Sequence, residues 1–333
     1  MHSYSTPRAA VVVPLYQKAS YIRRALQSVF AQTVKDVEVI VVDDGSTDEA
    51  PAILREIVDP RLVVHRQQRM GVSAARNRGV SLASAPWVAF LDADDEWLPE
   101  FLESTLRVAE ASPGVSAAFC NLWDYPSHRP LLSKISCEGN VVTDYFAGLV
   151  ENDGIGMSSS SALVSRARLQ ACGGFLEGVT HYEDMEAWAR LAWSGEIAFC
   201  DASLAVYHSE VPDSASKRRR AAITPYPALL RTYEEWSAAG RIPERLRDSS
   251  RRYANWFLAW NVMELSHHGL QTDARRRLKG AEWRDSRDPI VWKAWLWTWL
   301  PTVALRSGRW LRARLARSAR AHASARSRAS GAD

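Results

Sequence analysis

Two short apolar runs each end in a cluster of carboxylates, and this feature constrains the fold most. Val37–Val42 (VEVIVV) runs straight into Asp43-Asp44-Gly45-Ser46. Trp87–Leu91 (WVAFL) runs straight into Asp92-Ala93-Asp94-Asp95. A third run, Ala9–Pro14, ends at Leu15-Tyr16. Runs this short and this apolar read as strands buried on both faces. Segments of helical spacing lie between them. Ser20–Gln32 repeats Ile22, Ala25, Leu26, Val29 and Phe30, with Ser20 as candidate N-cap. Ser46 or Thr47 is placed to cap a helix through Val58. Arg61–His65 reads as a strand, Val72–Ala83 as a helix and Pro99–Ala109 as another helix. This alternation predicts an α/β domain with a mainly parallel sheet flanked by helices, with an α-helical C-terminal region. Such sheets bind ligands beyond the carboxyl ends of their strands, where both acidic clusters fall.

Charge divides the chain. The net charge is +4 over 333 residues. Residues 1–212 hold 17 Lys and Arg against 27 Asp and Glu, whereas residues 213–333 hold 25 against 11. Nine of the 14 tryptophans also lie in the second part. The acidic part suits a cation and the basic part an anionic partner. Three regions follow: 1–212 as the α/β domain, 213–285 as a helical extension, and 286–333 as a Trp/Arg-rich segment with a basic tail. The four cysteines form no CxxC pair and are expected to be buried thiols in a reducing compartment. The polar start MHSYSTPR is not a charged-then-apolar leader, so a signal peptide is not expected.

The carboxylates suit a nucleoside diphosphate carried with a hard cation. Mg²⁺ or Mn²⁺ takes carboxylate oxygens and keeps positions for phosphate. A D-x-D pair can place one carboxylate on the metal and the other near sugar hydroxyls. Tyr16 can stack on a base, Asp44 can accept from base N–H groups, and Arg76 can meet phosphate or base oxygens. The sequence has no GxGxxG and no GxxxxGKS/T, which removes support for dinucleotide binding and P-loop hydrolysis. HExxH and GxSxG are absent too.

The ordered set V-V-P-L-Y, V-D-D-G-S-T-D, G-V-S-A-A-R-N-R-G and F-L-D-A-D-D resembles the family-2 glycosyltransferases of GT-A fold, over roughly residues 8–212. The resemblance implies an inverting transferase that uses a nucleotide-sugar donor, commonly a UDP-sugar. By position it implies that Pro14, Tyr16, Asp44 and Arg76 hold the nucleotide. Asp92 would face the ribose or donor sugar, and Asp94 would bind the metal. His181–Arg190 resembles the family's catalytic segment, with Asp184 as general base and Glu183 as its rival. Gly173-Gly174-Phe175 matches a turn that precedes that segment. The family pattern has a histidine just before a P-x-S-x-S-like stretch. Here that position, counted back from Pro212, holds Val211. His208, three residues earlier, either takes over as metal ligand or is an ordinary surface histidine. Asp153–Met157 and Ser158–Ser161 read as a flexible loop before a strand, near where the family places acceptor contacts.

Beyond residue 221, Pro225–Ala238, Arg245–His267 and Thr272–Ala281 read as amphipathic helices of a small bundle with tryptophan in its core. Trp256 and Trp260 share a helix face. Residues 290–305 are apolar but too short for a comfortable membrane span. They carry Trp292, Trp295, Trp297 and Trp299, and eight arginines follow in residues 306–333. This combination suits an interfacial anchor on an anionic cytoplasmic membrane surface. No nucleic-acid module accompanies the basic tail, so no nucleic-acid partner is expected. The expected function is sugar transfer to a saccharide or lipid-linked acceptor in surface-glycan assembly, in the cytoplasm and peripheral to the membrane. A nucleotide-binding scaffold without activity and a nucleotidyltransferase are the other two classes.

Overall fold

The structure is a computed structural model that describes residues 6–132, 135–179, 181–212, 226–281, 284–285 and 287–300. The chain forms two compact units, Met1–Ser250 and Arg251–Asp333. The basic tail at 306–333 and Asp213–Ser216 lie outside the described residues.

The first unit is built on one sheet. Its first half consists of β1 (Ala9–Leu15), β2 (Val37–Asp43), β3 (Leu62–Arg66) and β4 (Trp87–Phe90), in the order β3-β2-β1-β4 and all parallel. Every residue of β1 is buried, because helices cover both faces. β3 forms the sheet edge, so Val63 and Val64 are exposed despite their apolar character. Beyond β4 the sheet becomes mixed. β10 (Ala162–Ser165) runs antiparallel between β4 and β6 (Val115–Tyr125), and β11 (Glu196–His208) then pairs parallel with β6. A two-residue strand, β5 (Glu96–Trp97), pairs with β11. Three more two-residue strands, β7 (Arg129–Pro130), β8 (Cys137–Glu138) and β9 (Val141–Val142), extend the far side.

The helices follow the apolar spacing. α1 (Ala19–Phe30) buries Ile22, Ala25, Leu26 and Val29. It starts one residue before Ser20, and no side chain of its own caps it. Asp48 does so from a distant loop, accepting from the Ala19 N–H at 2.8 Å. α2 (Ala50–Glu56), by contrast, starts later than a cap at Ser46 or Thr47 would place it. Ser46 instead accepts from the Gln17 N–H at 3.2 Å. α3 (Val72–Leu82) and α4 (Phe101–Glu110) lie where their spacing placed them. α3 packs unusually close to β1: a Cβ on Gly79 would lie 2.3 Å from a Val12 methyl.

The second half of the unit adds α5 (Tyr145–Glu151), α6 (Arg166–Ala171), α7 (Glu183–Ser194) and α8 (Ala228–Ala238). Trp188 of α7 is fully buried against Phe90 and Phe175. α8 docks on α7, with Trp236 5.3 Å from Trp193.

α9 (Arg247–His267) begins in the first unit and runs into the second, which continues with α10 (Gln271–Gly280) and α11 (Pro289–Trp297). Trp256 and Trp260 stack on one face of α9. They are only half-buried, and Phe257, Leu258 and Val262 form the apolar interior in their place. Among the described residues no helix is long and apolar enough to cross a membrane. The cysteines also differ from expectation. Cys120 and Cys200 are buried in adjacent core strands, but Cys137 is exposed on a hairpin and Cys172 is half-buried.

Gly79→Ala should destabilise the fold by about 1–3 kcal/mol, because the new methyl overpacks against a fully buried Val12. Urea unfolding checks this through a lowered midpoint at unchanged slope.

Candidate active site

The carboxyl ends of β1, β2 and β4 meet on one edge. Asp44, after β2, is 4% exposed and already holds three donors. Its Oδ1 accepts from Met70 N and from Gln67 Nε2, both at 2.8 Å, and its Oδ2 from Gly71 N at 2.7 Å. It thereby shapes the run that leads into α3. Tyr16 follows β1, and the Arg69 guanidinium lies over its ring at 4.4 Å. Pro14 pairs with Val42 across the parallel ladder.

The D-A-D-D turn after β4 is held by the serine run. Ser160 Oγ accepts from Asp92 N at 3.2 Å and donates to Asp95 Oδ2 at 2.5 Å. Its carbonyl accepts from Trp97 Nε1 at 2.6 Å. Ser159–Ser161 is a buried 3₁₀ turn and not the flexible loop its composition suggests. The hydroxyls of Ser160 and Ser161 are spent on hydrogen bonds inside the fold, whereas that of Ser159 is buried without a partner. Asp95 is 3% exposed. Burial, then the charges of Asp94 and Asp92, pushes its pKa well above the usual carboxylate range.

Asp94 is paired with Lys18 Nζ at 2.6 Å. His208 is 4% exposed, so it is not a surface histidine. Its Nε2 lies 3.0 Å from Glu96 and its Nδ1 2.8 Å from Glu210, and its backbone N–H donates to Asp95. Val211 is a buried apolar residue.

Arg76 joins this turn to α7. It is 3% exposed, donating from Nη2 to Asp92 and from Nη1 to Glu183, both at 2.9 Å. Phe175 covers it at 5.4 Å. Burial alone would lower its pKa. The charges of Asp92, Glu183 and Asp184 outweigh that and hold it above its ordinary value. Its Nε is buried without a hydrogen-bond partner. Glu183 and Asp184 occupy the first turn of α7, where negative charge is favoured. Asp184 also bears on Tyr145, whose hydroxyl is raised by burial and, in the same direction, by that carboxylate.

Several holding residues escaped sequence reasoning. Lys18 and Ser160 belong to no recognisable pattern. Asn77 exchanges two 2.8 Å hydrogen bonds with the backbone of Phe175. Gly174 has φ +68°, and a Cβ there would stand 2.7 Å from Asn77 Oδ1, so this turn needs glycine. Glu186 is fully buried. It accepts from Arg190 Nε at 2.7 Å and from Thr232 Oγ1 at 2.8 Å, tying α7 to α8. Arg190 also donates to the carbonyls of Cys172 and Gly174. The i,i+4 spacing of Glu186 and Arg190 was the one available signal.

Among the described residues no three His, Cys, Asp or Glu side chains converge as a ready-made metal cage. A cation of the Mg²⁺ type needs fewer, because it binds through one or two carboxylates plus phosphate oxygens. Asp92 and Asp94 on one turn fit that requirement. The Lys18 ammonium on Asp94 shows that this carboxylate already stabilises a cation.

Residues 10–145 match the family model described as glycosyl transferase family 2. The putative glycosyltransferase EpsH of Bacillus subtilis is 39% identical over 31% of this chain and 31% of its own length. The succinoglycan biosynthesis protein ExoO of Rhizobium meliloti is 39% identical over 35% of this chain and 33% of its own length. The chain thus aligns with about a third of these relatives' length. Two solved structures share the fold. Residues 1–349 of S. aureus TarS, in complex with UDP-GlcNAc, superpose with a TM-score of 0.65 at 15% identity, covering 81% of this chain and 78% of that one. The mannosyltransferase PcManGT from Pyrobaculum calidifontis, in complex with GDP-Man and Mn²⁺, gives 0.59 at 20% identity, covering 93% and 81%.

The raised pKa of Asp95 has a defined effect on stability. The folded state holds this proton to higher pH than the unfolded chain does. Its contribution is therefore greatest below the unfolded carboxylate pKa, and it is lost as pH rises from there through the folded value. Asp95→Asn should remove this part of the slope. The difference between wild-type and variant unfolding free energies, followed from acid to neutral pH, should move in the variant's favour as pH rises.

Proposed function

We propose that this chain, which belongs through residues 10–145 to glycosyl transferase family 2 and has a GT-A fold, is an inverting glycosyltransferase. It moves a sugar from a nucleotide-diphosphate donor, a UDP-sugar in our reading, to a saccharide or lipid-linked acceptor in surface-polysaccharide assembly. The similarity to the succinoglycan biosynthesis protein ExoO supports a role in polysaccharide biosynthesis. The observation that carries the proposal is Arg76. One buried guanidinium ties the D-A-D-D turn to the acidic start of α7 and so makes one site of them.

In this reading Pro14, Tyr16, Asp44 and Arg76 border the nucleotide, and Asp92 faces the ribose or donor sugar. Asp184 is the base. It takes the proton of the acceptor hydroxyl as that oxygen attacks the anomeric carbon. The bond from that carbon to the diphosphate breaks on the opposite face, and the nucleoside diphosphate leaves. Glu183 is the weaker candidate, because its carboxylate is committed to Arg76. Asp94, with Asp92 on the same turn, would hold Mg²⁺ or Mn²⁺, which when bound offsets charge on the leaving diphosphate. Both ring nitrogens of His208 are taken by Glu96 and Glu210, so His208 would have to leave them to join as a ligand. Lys18 must release Asp94 for that, and its ammonium stays close enough to add positive charge. The enzyme works at the cytoplasmic face of a membrane, held there peripherally.

Calorimetric titration of UDP, GDP, CDP and dTDP with and without Mn²⁺ tests the donor side. Metal-dependent binding of one nucleotide is expected, and Asp94→Ala should abolish it. Absence of binding to all four under both conditions overturns the proposal. Asp184→Asn should retain nucleotide binding and lower kcat by about 10²–10⁴-fold, the range that a general base supplies. An unchanged kcat would remove Asp184 from the role of base.

A further inference from the structure

The second unit contains a cleft of about 580 Å³ between α10 and α11. Trp292, Trp295 and Trp299 line it, together with Arg275, Lys279 and Arg284. The three tryptophans repeat at helical spacing and touch edge to face, with ring centres 5.4 and 6.0 Å apart. Trp292 is 54% exposed and Trp299 61% exposed, and Leu296 and Leu300 are exposed beside them. A cluster of large exposed apolar side chains marks a binding face.

Of the four cationic side chains that line the cleft, Arg276 is paired with Asp273, and among the described residues the other three meet no carboxylate. Arg275 stacks on Trp299 at 4.7 Å and donates to the Thr298 carbonyl at 2.9 Å. Arg284 donates to the Ala281 carbonyl at 2.9 Å. Lys279 is exposed. Among the described residues no carboxylate lines the cleft.

A ligand suited to this site has an apolar chain and an anionic head. We propose that the cleft seats an acyl chain of an anionic phospholipid among Trp292, Trp295 and Trp299. The phosphate is then met by Arg275, Lys279 and Arg284. Tryptophan favours this depth of a bilayer, and each basic side chain near an anionic surface adds attraction. A single-stranded nucleic acid fits less well. The rings stand edge to face and form no row of parallel platforms on which successive bases could stack. The inference rests on the membrane-surface part of the proposed function and extends it to a lipid class and a seat.

The test uses the full chain with vesicles of phosphatidylcholine and phosphatidylglycerol, the latter brominated in its acyl chains. Wild type should bind, and the bromines should quench its tryptophan fluorescence. Trp292→Ala combined with Trp299→Ala should lose most of that quenching. Lys279→Gln should weaken partition about fivefold, the weight of one basic side chain at such a surface. Both variants should keep the nucleotide affinity of wild type, so a failed lipid site and a failed donor site give different results. The inference is overturned if both variants partition like wild type, since the attraction then lies in another basic segment. Binding without quenching, equal binding to pure phosphatidylcholine, or displacement of the vesicles by a single-stranded oligonucleotide would overturn it as well.

Discussion

A guanidinium buried to the extent of Arg76 is costly to desolvate and persists only with carboxylates around it. Asp92 supplies one from the end of β4, and Glu183 supplies another from the start of α7. These two residues are 91 positions apart in sequence, and the arginine is what holds them in one place. Removing both partners would leave a buried unpaired charge, and breaking a buried pair costs about 3–5 kcal/mol in comparable cases. The rest of the site takes its geometry from this contact. Asn77, one residue later on α3, fixes the Gly174–Phe175 turn that covers the guanidinium.

Three aspartates of one turn sit in three environments. Asp92 is 39% exposed and bound to Arg76. Asp94 is 16% exposed and bound to Lys18. Asp95 is buried, has its pKa raised by that burial, and bridges Ser160 and the backbone of His208. The first two keep a face toward the sheet edge where a ligand would bind. The third braces the turn from inside. One motif therefore combines two groups suited to ligands with one structural group, and what separates them is burial.

The elements that the sequence made legible are those whose signals are local. The runs of β1, β2 and β4 are apolar because both their faces are covered, and that pattern is visible in the residues themselves. The spacing of Ile22, Ala25, Leu26 and Val29 similarly announced α1. The start of α1 differs because Asp48 serves it from another loop, and that of α2 because Ser46 is engaged by Gln17 while Asp48 accepts from the Ala50 N–H. The serine run was read as a loop because four serines carry no apolar signal. Only the neighbouring Asp92, Asp95 and Trp97 give the hydroxyl and carbonyl of Ser160 a use. His208 was left open between ligand and surface residue for the same reason, since its carboxylate neighbours Glu96 and Glu210 come together only through the β5–β11 pairing and the turn after β11.

The sequence by itself determined the α/β architecture, the placement of Asp44, Asp92 and Asp94 at strand ends, and the contrast between an acidic first part and a basic, tryptophan-rich second part. Each of these follows from residue type and spacing along the chain, and short-range physics reads both. Tertiary structure alone decided which distant groups meet: Lys18 with Asp94, Arg76 with Asp92 and Glu183, and Thr232 with Glu186. It also decided that β10 enters the sheet antiparallel and that Arg275, Lys279 and Arg284 surround an apolar cleft without a carboxylate. Pairings of this kind depend on burial and on distances between segments far apart in the chain. No periodicity records them, because the free energy of a buried charge is set by whatever the completed fold brings beside it.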